Sequence, residues 1–384
     1  MLTDPFATAE RQALRESVRA FVQRDVLPFQ DQWEADGELP RSLHRRAADA
    51  GLIGLSYPAS VGGGDGDAID ALVLAEEIHY AGAASGLFAS LFTSGISLPH
   101  IVAAGDRDQI ERWVRPTIDG AKIGSLAITE PDGGSDVANL RTTAKRDGAD
   151  YVVNGAKTYI TSGVRADFVV TAVRTGDAGA HGISLLVIEK GTPGFTVSRR
   201  LAKMGWLCSD TAELSYVDVR VPAANLVGRE NSGFGQLASN FVSERVGLAV
   251  QSYACAQRSL DLTVEWCRLR ETFGRPLISR QPVQNTLAEM ARRVEVARVY
   301  TRSVAARAAA GETNLIREAC FAKNTAVEAG MWVVDQAVQL HGGMGYKRES
   351  EVERQYRDMR IMGIGGGTNE ILTGLAAKTL GYVG

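Results

Sequence analysis

Between Glu10 and Val22 the apolar side chains Leu14, Val18, Phe21 and Val22 recur three and four apart among charged residues. That spacing predicts an amphipathic helix, closed off before Pro28. A second helix is expected from Arg41 to Ala50, stopped by Gly51, and a third from Ala68 to His79. Between them, the run Gly62-Gly63-Gly64-Asp65-Gly66-Asp67 reads as a loop. The stretch Ala81–Gly105 carries no Asp, Glu, Lys or Arg, which raises the possibility of a membrane span. It also contains Gly82, Gly86, Gly95, Pro99, His100 and four serines, so a buried helix followed by a break at the proline is the expectation.

Past Lys122 the pattern changes to short β-branched runs: Tyr151–Val153, Phe168–Val173 and Ile183–Ile188. Asn154-Gly155, Ser162-Gly163 and Gly191-Thr192-Pro193-Gly194 stand between them as turn chemistry, with Asn154-Gly155 suited to a hairpin turn. After Gly233 long amphipathic segments return, at about 234–270, 281–310 and 315–340, as an antiparallel bundle would require. The expected fold is therefore α+β in three parts: helical residues 1–122, a barrel- or sandwich-like β-domain 123–232, and a C-terminal helical bundle 233–384.

Composition narrows the functional classes. A net charge of -3, with 42 basic against 45 acidic residues, lacks the Lys/Arg excess that nucleic-acid binding needs. The four cysteines are scattered without a CxxC pair, which points to reduced thiols and a cytoplasmic location. Met1-Leu2-Thr3-Asp4-Pro5 lacks the basic and apolar blocks of a secretory signal. The five histidines show no metal-ligand spacing, so no metal is expected, although His341 adjoins a Gly-Gly loop.

Two segments carry candidate chemistry. Leu126-Ala127-Ile128-Thr129-Glu130-Pro131-Asp132-Gly133-Gly134-Ser135 offers a Gly-Gly-Ser turn whose N–H groups and hydroxyl could face a polar ligand. Asn154-Gly155-Ala156-Lys157-Thr158-Tyr159-Ile160-Thr161 places an aromatic beside a hydroxyl on one expected strand face. Alone, the first reads more readily as plain turn chemistry and the second as strand packing.

Together, and collinear with further motifs, they resemble the acyl-CoA dehydrogenase family. The further motifs are Lys203-Met204-Gly205-Trp206, Arg270-Glu271-Thr272-Phe273-Gly274, Gln339-Leu340-His341-Gly342-Gly343-Met344-Gly345-Tyr346 and Gly366-Gly367-Thr368-Asn369-Glu370-Ile371. The resemblance spans almost the whole chain. It implies FAD, with Leu126, Ile128, Thr129, Gly134, Tyr159, Thr161, Thr368 and Glu370 along the flavin and Ser135 near the phosphate-bearing arm or substrate. Arg270, Phe273, Gln281, Gln339, Gly342 and Gly343 would hold the adenosine and pyrophosphate across a subunit interface. It also implies a homotetramer built as a dimer of dimers, with an electron-transferring flavoprotein as electron acceptor.

Dehydrogenation needs a carboxylate to remove the α-proton on one face of the substrate while hydride leaves the β-carbon from the other. Many family members carry that base as Glu in a C-terminal Tyr-Glu-Gly-Thr segment, but here the segment reads Gly365-Gly366-Gly367-Thr368. Glu244, in Phe241-Val242-Ser243-Glu244-Arg245, matches the base of the isovaleryl-CoA and long-chain branches, which sits on an earlier helix before an arginine. Glu244 is thus the expected base, with Gly366 giving it room and offering a backbone N–H to the thioester oxygen. Arg245 and Gly365 join the expected substrate contacts, and Leu87 and Leu91 the expected acyl-pocket wall. The competing readings are a dehydrogenase acting on an acyl- or peptidyl-carrier protein, an oxidase or monooxygenase relative, and a non-catalytic flavoprotein scaffold. Chain length and branching of the acyl group stay open at this stage.

Overall fold

The computed structural model describes residues 4–382, so Met1–Thr3 lie outside the described residues. Eight helices come first: α1 Ala9–Phe21, α2 Gln30–Asp36, α3 Arg41–Asp49, α4 Ala68–Tyr80, α5 Ser85–Leu91, α6 Ser94–Ala104, α7 Arg107–Gln109 and α8 Arg115–Ile118. Local chemistry sets several of their ends. Thr8 caps α1 by accepting from the Arg11 N–H, and Asp67 and Asp70 form a reciprocal capping box at α4. The Ala81–Gly105 stretch divides differently from the expectation. The break falls at Phe92–Thr93, and Pro99 lies inside α6. Residues 85–104 are long and apolar enough to cross a membrane, yet half of them are buried within the protein and they are split between two helices.

Seven strands follow: β1 Gly124–Ala127, β2 Thr143–Asp147, β3 Asp150–Thr161, β4 Phe168–Arg174, β5 Ile183–Glu189, β6 Phe195–Arg200 and β7 Thr211–Pro222. They form one mixed, curled sheet in the order β1-β4-β2-β3-β7-β6, with β5 paired to β4. β1 and β2 both run parallel to β4, β1 against Phe168–Thr171 and β2 at Arg174. Residues 128–142 therefore leave the sheet after β1 and return at β2, an excursion that carries Thr129, Gly134 and Ser135. The expected hairpin at Asn154-Gly155 is not a turn. The two residues lie within β3 at a register shift, with Gly155 at φ +149°. A Cβ there would stand 2.5 Å from Thr142 Oγ1, and Asn154 pairs with Asp218 across the strands. The turn joining β2 to β3 contains Gly148 instead, at φ +61°.

The C-terminal part comprises α9 Gly233–Leu269, a small hairpin of β8 Glu271–Thr272 and β9 Arg275–Pro276, then α10 Gln281–Ala309, α11 Ile316–His341, α12 Glu351–Met359 and α13 Asn369–Thr379. α9 has 37 residues, a length of about 55 Å at the helical rise. Its buried face joins α4, α10 and α11 in one apolar core containing Val73, Val250, Tyr253, Ala297, Val304 and Ala322. A buried ionic junction ties the same elements together: Glu77 pairs with Arg15, while Glu76 pairs with Arg302 and accepts from the Tyr253 hydroxyl. Helices thus flank the sheet on both sides in sequence, the α+β arrangement expected.

Candidate active site

The excursion after β1 is held by a buried ion pair. Lys157 on β3 is fully buried and donates to the Ile128 carbonyl at 2.9 Å and to Glu130 at 2.8 Å. Glu130 in turn accepts from the Arg141 and Thr142 N–H groups. Burial, only partly offset by Glu130, brings Lys157 down to about 8. The Thr158 N–H donates to the Thr129 carbonyl, and a Cβ on Gly134 would lie 3.1 Å from the Thr129 methyl. Gly134 and Ser135 are exposed, while Leu126 and Ile128 are half-buried and pack in one cluster with Phe234 and Phe241 of α9. β3 shifts register between Lys157 and Ile160, and Tyr159 adopts φ +59° with 69% of its surface exposed. The expected regular strand face of Tyr159 and Thr161 is therefore interrupted by a bulge.

Just beyond, the Thr161 carbonyl accepts from Ser125 Oγ at 2.6 Å. The Ser162 hydroxyl meets Thr93 Oγ1 at 2.7 Å, which ties the end of β3 to the α5–α6 junction. Arg165 and Asp210 form a buried pair at 2.7 Å, and Asp210 also accepts from the Val164 N–H. This network fixes the β3 terminus against the helical layer.

Glu244 stands half-buried on α9, about three turns from its N-terminus. The turn before α13 comes to meet it. Gly366 adopts φ +66° and Gly367 φ +95°. A Cβ at Gly366 would stand 3.4 Å from Glu244 Oε1 and only 2.3 Å from the Leu248 Cδ1 methyl. Glycine is required here both by the left-handed backbone and by Leu248, the tighter of the two contacts. The N–H groups of Gly366 and Gly367 find no backbone acceptor among the described residues. Burial pushes the Glu244 carboxyl above its ordinary value, and the positive charges of Arg245 and Lys323 partly oppose that shift through space. Arg245 is buried, stacks over the Phe241 ring at 5.0 Å, and leaves its Nε without an acceptor.

α11 holds the glycine turn from behind. Lys323, fully buried, donates to the Gly367 carbonyl at 2.7 Å, and the neighbouring Asn324 reaches the Asn369 carbonyl and Thr373. Thr368 caps α13 by accepting from the Ile371 N–H, and Glu370 is exposed in the first turn. The local backbone and Thr368 lower the Glu370 carboxyl.

Leu87 and Leu91 do not form the wall expected of them. Both are buried in the N-terminal core with Leu43, Leu52 and Ile78. Phe88 on the same helix and Phe92 just past its end stay half-buried, their rings 4.8 Å apart, and Phe88, like Val242 of α9, packs against the main bundle core. Of the two rings, Phe88 also reaches the apolar core that α9 shares, while Phe92 packs on the N-terminal core alone.

Arg270, Phe273, Gln281, Gln339, Gly342 and Gly343 gather at the opposite end of the bundle. All are exposed, Phe273 at 98% with φ +48°. Trp266 stacks on His341 at 5.2 Å and donates to the Leu340 carbonyl, holding the α9 and α11 termini together. The 26 residues from Glu244 to Arg270 correspond to roughly 39 Å along the helix axis. A recess of about 440 Å³ beside Arg45, Gly63 and Asp119 includes none of these residues. No group of three or more potential metal-ligating side chains occurs among the described residues.

Comparison with known proteins supplies the family. Acyl-CoA dehydrogenase N-terminal, middle and C-terminal domain models match residues 8–121, 125–219 and 231–381 in turn. The chain belongs to the acyl-CoA dehydrogenase family. The rat mitochondrial long-chain specific acyl-CoA dehydrogenase is 37% identical over 97% of this chain and 87% of its own length. A crystal structure from Mycobacterium smegmatis superposes with a TM-score of 0.98 at 68% identity, covering 99% of this chain and 100% of that one. A glutaryl-CoA dehydrogenase from the same species, solved with FADH2, gives 0.92 at 25% identity over 100% of this chain and 97% of its own.

The family's cofactor is FAD, and the acyl-CoA dehydrogenase chain described here has surfaces that fit it. An exposed aromatic at a strand bulge, an exposed Gly-Gly-Ser turn and two free glycine N–H groups offer a ring face and polar donors to such a group, and half-buried Leu126 and Ile128 pack in one cluster with Phe241 of the Glu244 helix. Sequence reasoning missed Lys323. Its signal was available: the charge lies on the buried stripe of α11 with Ala319, Ala326 and Val327.

Proposed function

We propose that this acyl-CoA dehydrogenase oxidises an acyl-CoA thioester to the trans-2-enoyl-CoA, with Glu244 as the base. The observation that carries this reading is the apposition of Glu244 Oε1 to the Gly366 turn, where a carboxylate and a free backbone N–H share one small space. Glu244 removes the α-proton. The Gly366 N–H, with Gly365 beside it, receives the charge that develops on the thioester oxygen, a donor worth about 3–4 kcal/mol in sites of this kind. FAD, when bound, supplies the acceptor for the β-hydride. Leu126, Ile128, Thr129, Gly134, Tyr159, Thr161, Thr368 and Glu370 are proposed to hold the flavin end, and Ser135 its phosphate arm or the substrate. Phe88, which reaches the core shared by α9, replaces Leu87 and Leu91 as the proposed acyl-wall residue. Arg245, buried over Phe241, orients Glu244 and excludes water from it.

The remote group at Arg270, Phe273, Gln281, Gln339, Gly342 and Gly343 lies too far along α9 to serve the same site within one chain. We assign it to the adenosine and pyrophosphate of a second copy's FAD, with Arg270 as the planar phosphate partner. Exposed Val296 and Val299 on α10 and Phe321 on α11 support the homotetramer. An electron-transferring flavoprotein is the proposed acceptor, fatty acid metabolism the setting, and the cytoplasm the location.

The test is anaerobic mixing of the purified holoprotein with a panel of acyl-CoAs, followed at the flavin absorbance of about 450 nm. Bleaching by one chain class, lost in Glu244→Gln, is the expected result. Undiminished bleaching in Glu244→Gln removes Glu244 as the base. A protein bleached only by carrier-bound acyl groups moves the substrate to an acyl- or peptidyl-carrier protein.

A further inference from the structure

The Gly366–Gly367 turn is clamped from two sides. α9 presents Glu244 and Leu248 to Gly366, and α11 presents Lys323 to the Gly367 carbonyl. A tie of this kind does not need a charge: Asn324, one residue on, holds the Asn369 carbonyl and Thr373 with a neutral amide. Burying an ammonium whose hydrogen-bond partner is a neutral carbonyl is costly. The cost calls for a use of the charge. We propose that Lys323 is a positioning residue for α-proton abstraction, fixing the turn so that the Gly366 N–H and Glu244 address one point and lending positive charge to it. This rests on the reading of Glu244 as base.

The charged surroundings of Lys323 make the proposal testable by pH. Glu244 and Arg245 face it from α9, Cys320 from its own helix and Glu370 from α13. Burial, reinforced by Arg245 and opposed by Glu244, Cys320 and Glu370, brings its ammonium down to about 8. Lys323 is therefore charged at neutral pH and discharges just above it. The α-proton step has an ascending limb as Glu244 ionises and a descending limb near pH 8 as Lys323 loses its proton. Arg245, the other nearby cation, does not titrate in this range.

The experiment uses the holoenzyme and an acyl-CoA whose β-carbon is replaced by sulfur, which can exchange its α-hydrogens but has no β-hydride to give. Exchange into D2O is followed by NMR across pH, and flavin content and thermal unfolding are measured alongside. Lys323→Met removes both donor and charge, and its exchange is expected to slow by at least about 30-fold. Lys323→Gln keeps a donor without a charge and is expected to lose roughly five- to tenfold. Both lose the descending limb near pH 8. A descending limb that persists in either variant overturns the proposal, as does exchange in Lys323→Met within about threefold of the parent. Should Lys323→Met fail to fold, the pH profile of Lys323→Gln decides alone. Glu244→Gln separates the two readings. Normal exchange there sinks the base assignment, whereas abolished exchange beside an unchanged limb in Lys323→Gln sinks only the role of Lys323.

Discussion

Substitution of Gly366 by alanine tests the site with one added carbon. The new Cβ would stand 2.3 Å from Leu248 Cδ1 and 3.4 Å from Glu244 Oε1, on a backbone at φ +66°. The left-handed conformation costs a residue with a Cβ about 1–2 kcal/mol, and pressing into a packed side chain adds about 1–3. Local destabilisation of roughly 2–5 kcal/mol follows. Leu248 packs among Cys255, Val327 and Met359, so it cannot swing freely. The turn therefore yields instead, carrying the Gly366 N–H away from Glu244. A displacement near 1 Å at reacting groups slows the step by about 100-fold. Rapid-mixing measurement of flavin reduction by a saturating acyl-CoA reads that loss directly. Leu248→Ala in the same chain removes the methyl and should restore about tenfold, leaving the backbone strain in place. If Gly366→Ala reduces flavin at the parent rate, or if Leu248→Ala gives no recovery, the steric argument is wrong.

Two further outcomes concern the scaffold. Asp210→Ala leaves the buried Arg165 guanidinium uncompensated and frees the Val164 N–H, at an expected cost of about 3–5 kcal/mol; thermal unfolding should show it, together with flavin loss as the β3 terminus loosens. His100 is buried, receives the Asn240 amide, and is held down to about 4 by burial. Because its folded value lies below the unfolded 6.5, the unfolded chain takes up the proton first, and stability is lost as pH falls from about 6.5 towards 4. That loss reaches about 3 kcal/mol for this ring. A pH series of unfolding midpoints should be shallower in His100→Asn, and an unchanged slope would count against the assignment.

The helices were legible because their burial is one-sided. Leu14, Val18 and Phe21 line one stripe of α1, and the long bundle helices end within a residue or two of the expected positions. What periodicity could not tell was which neighbour a stripe meets. Leu87 and Leu91 have the apolar character of a pocket wall, but their side of α5 faces α3 and α4, and it is Phe88 that also reaches the core shared by α9. Asn154-Gly155 carries the residue signature of a two-residue hairpin. Its glycine serves a different need, the close approach of Thr142 just before β2, and the chain continues straight on as β3. Lys323 drew no reading from the sequence, although it falls on the stripe of α11 that Ala319 and Ala326 mark as buried.

Glu244 and the glycine at position 366 are one structural decision rather than two. A carboxylate delivered from α9 sits on a helix braced by Val250 and Tyr253 in the main core, so its position is set by the bundle rather than by a turn. Any side chain on the turn would compete with it for the space that Leu248 already limits. Removing that side chain leaves the turn with three consecutive glycines and much conformational freedom, which must be taken away by other contacts. Thr368 does this downstream by capping α13, and Lys323 and Asn324 do it from α11. The arrangement therefore asks for a strong tether on the turn, and α11 buries a lysine where that tether is needed.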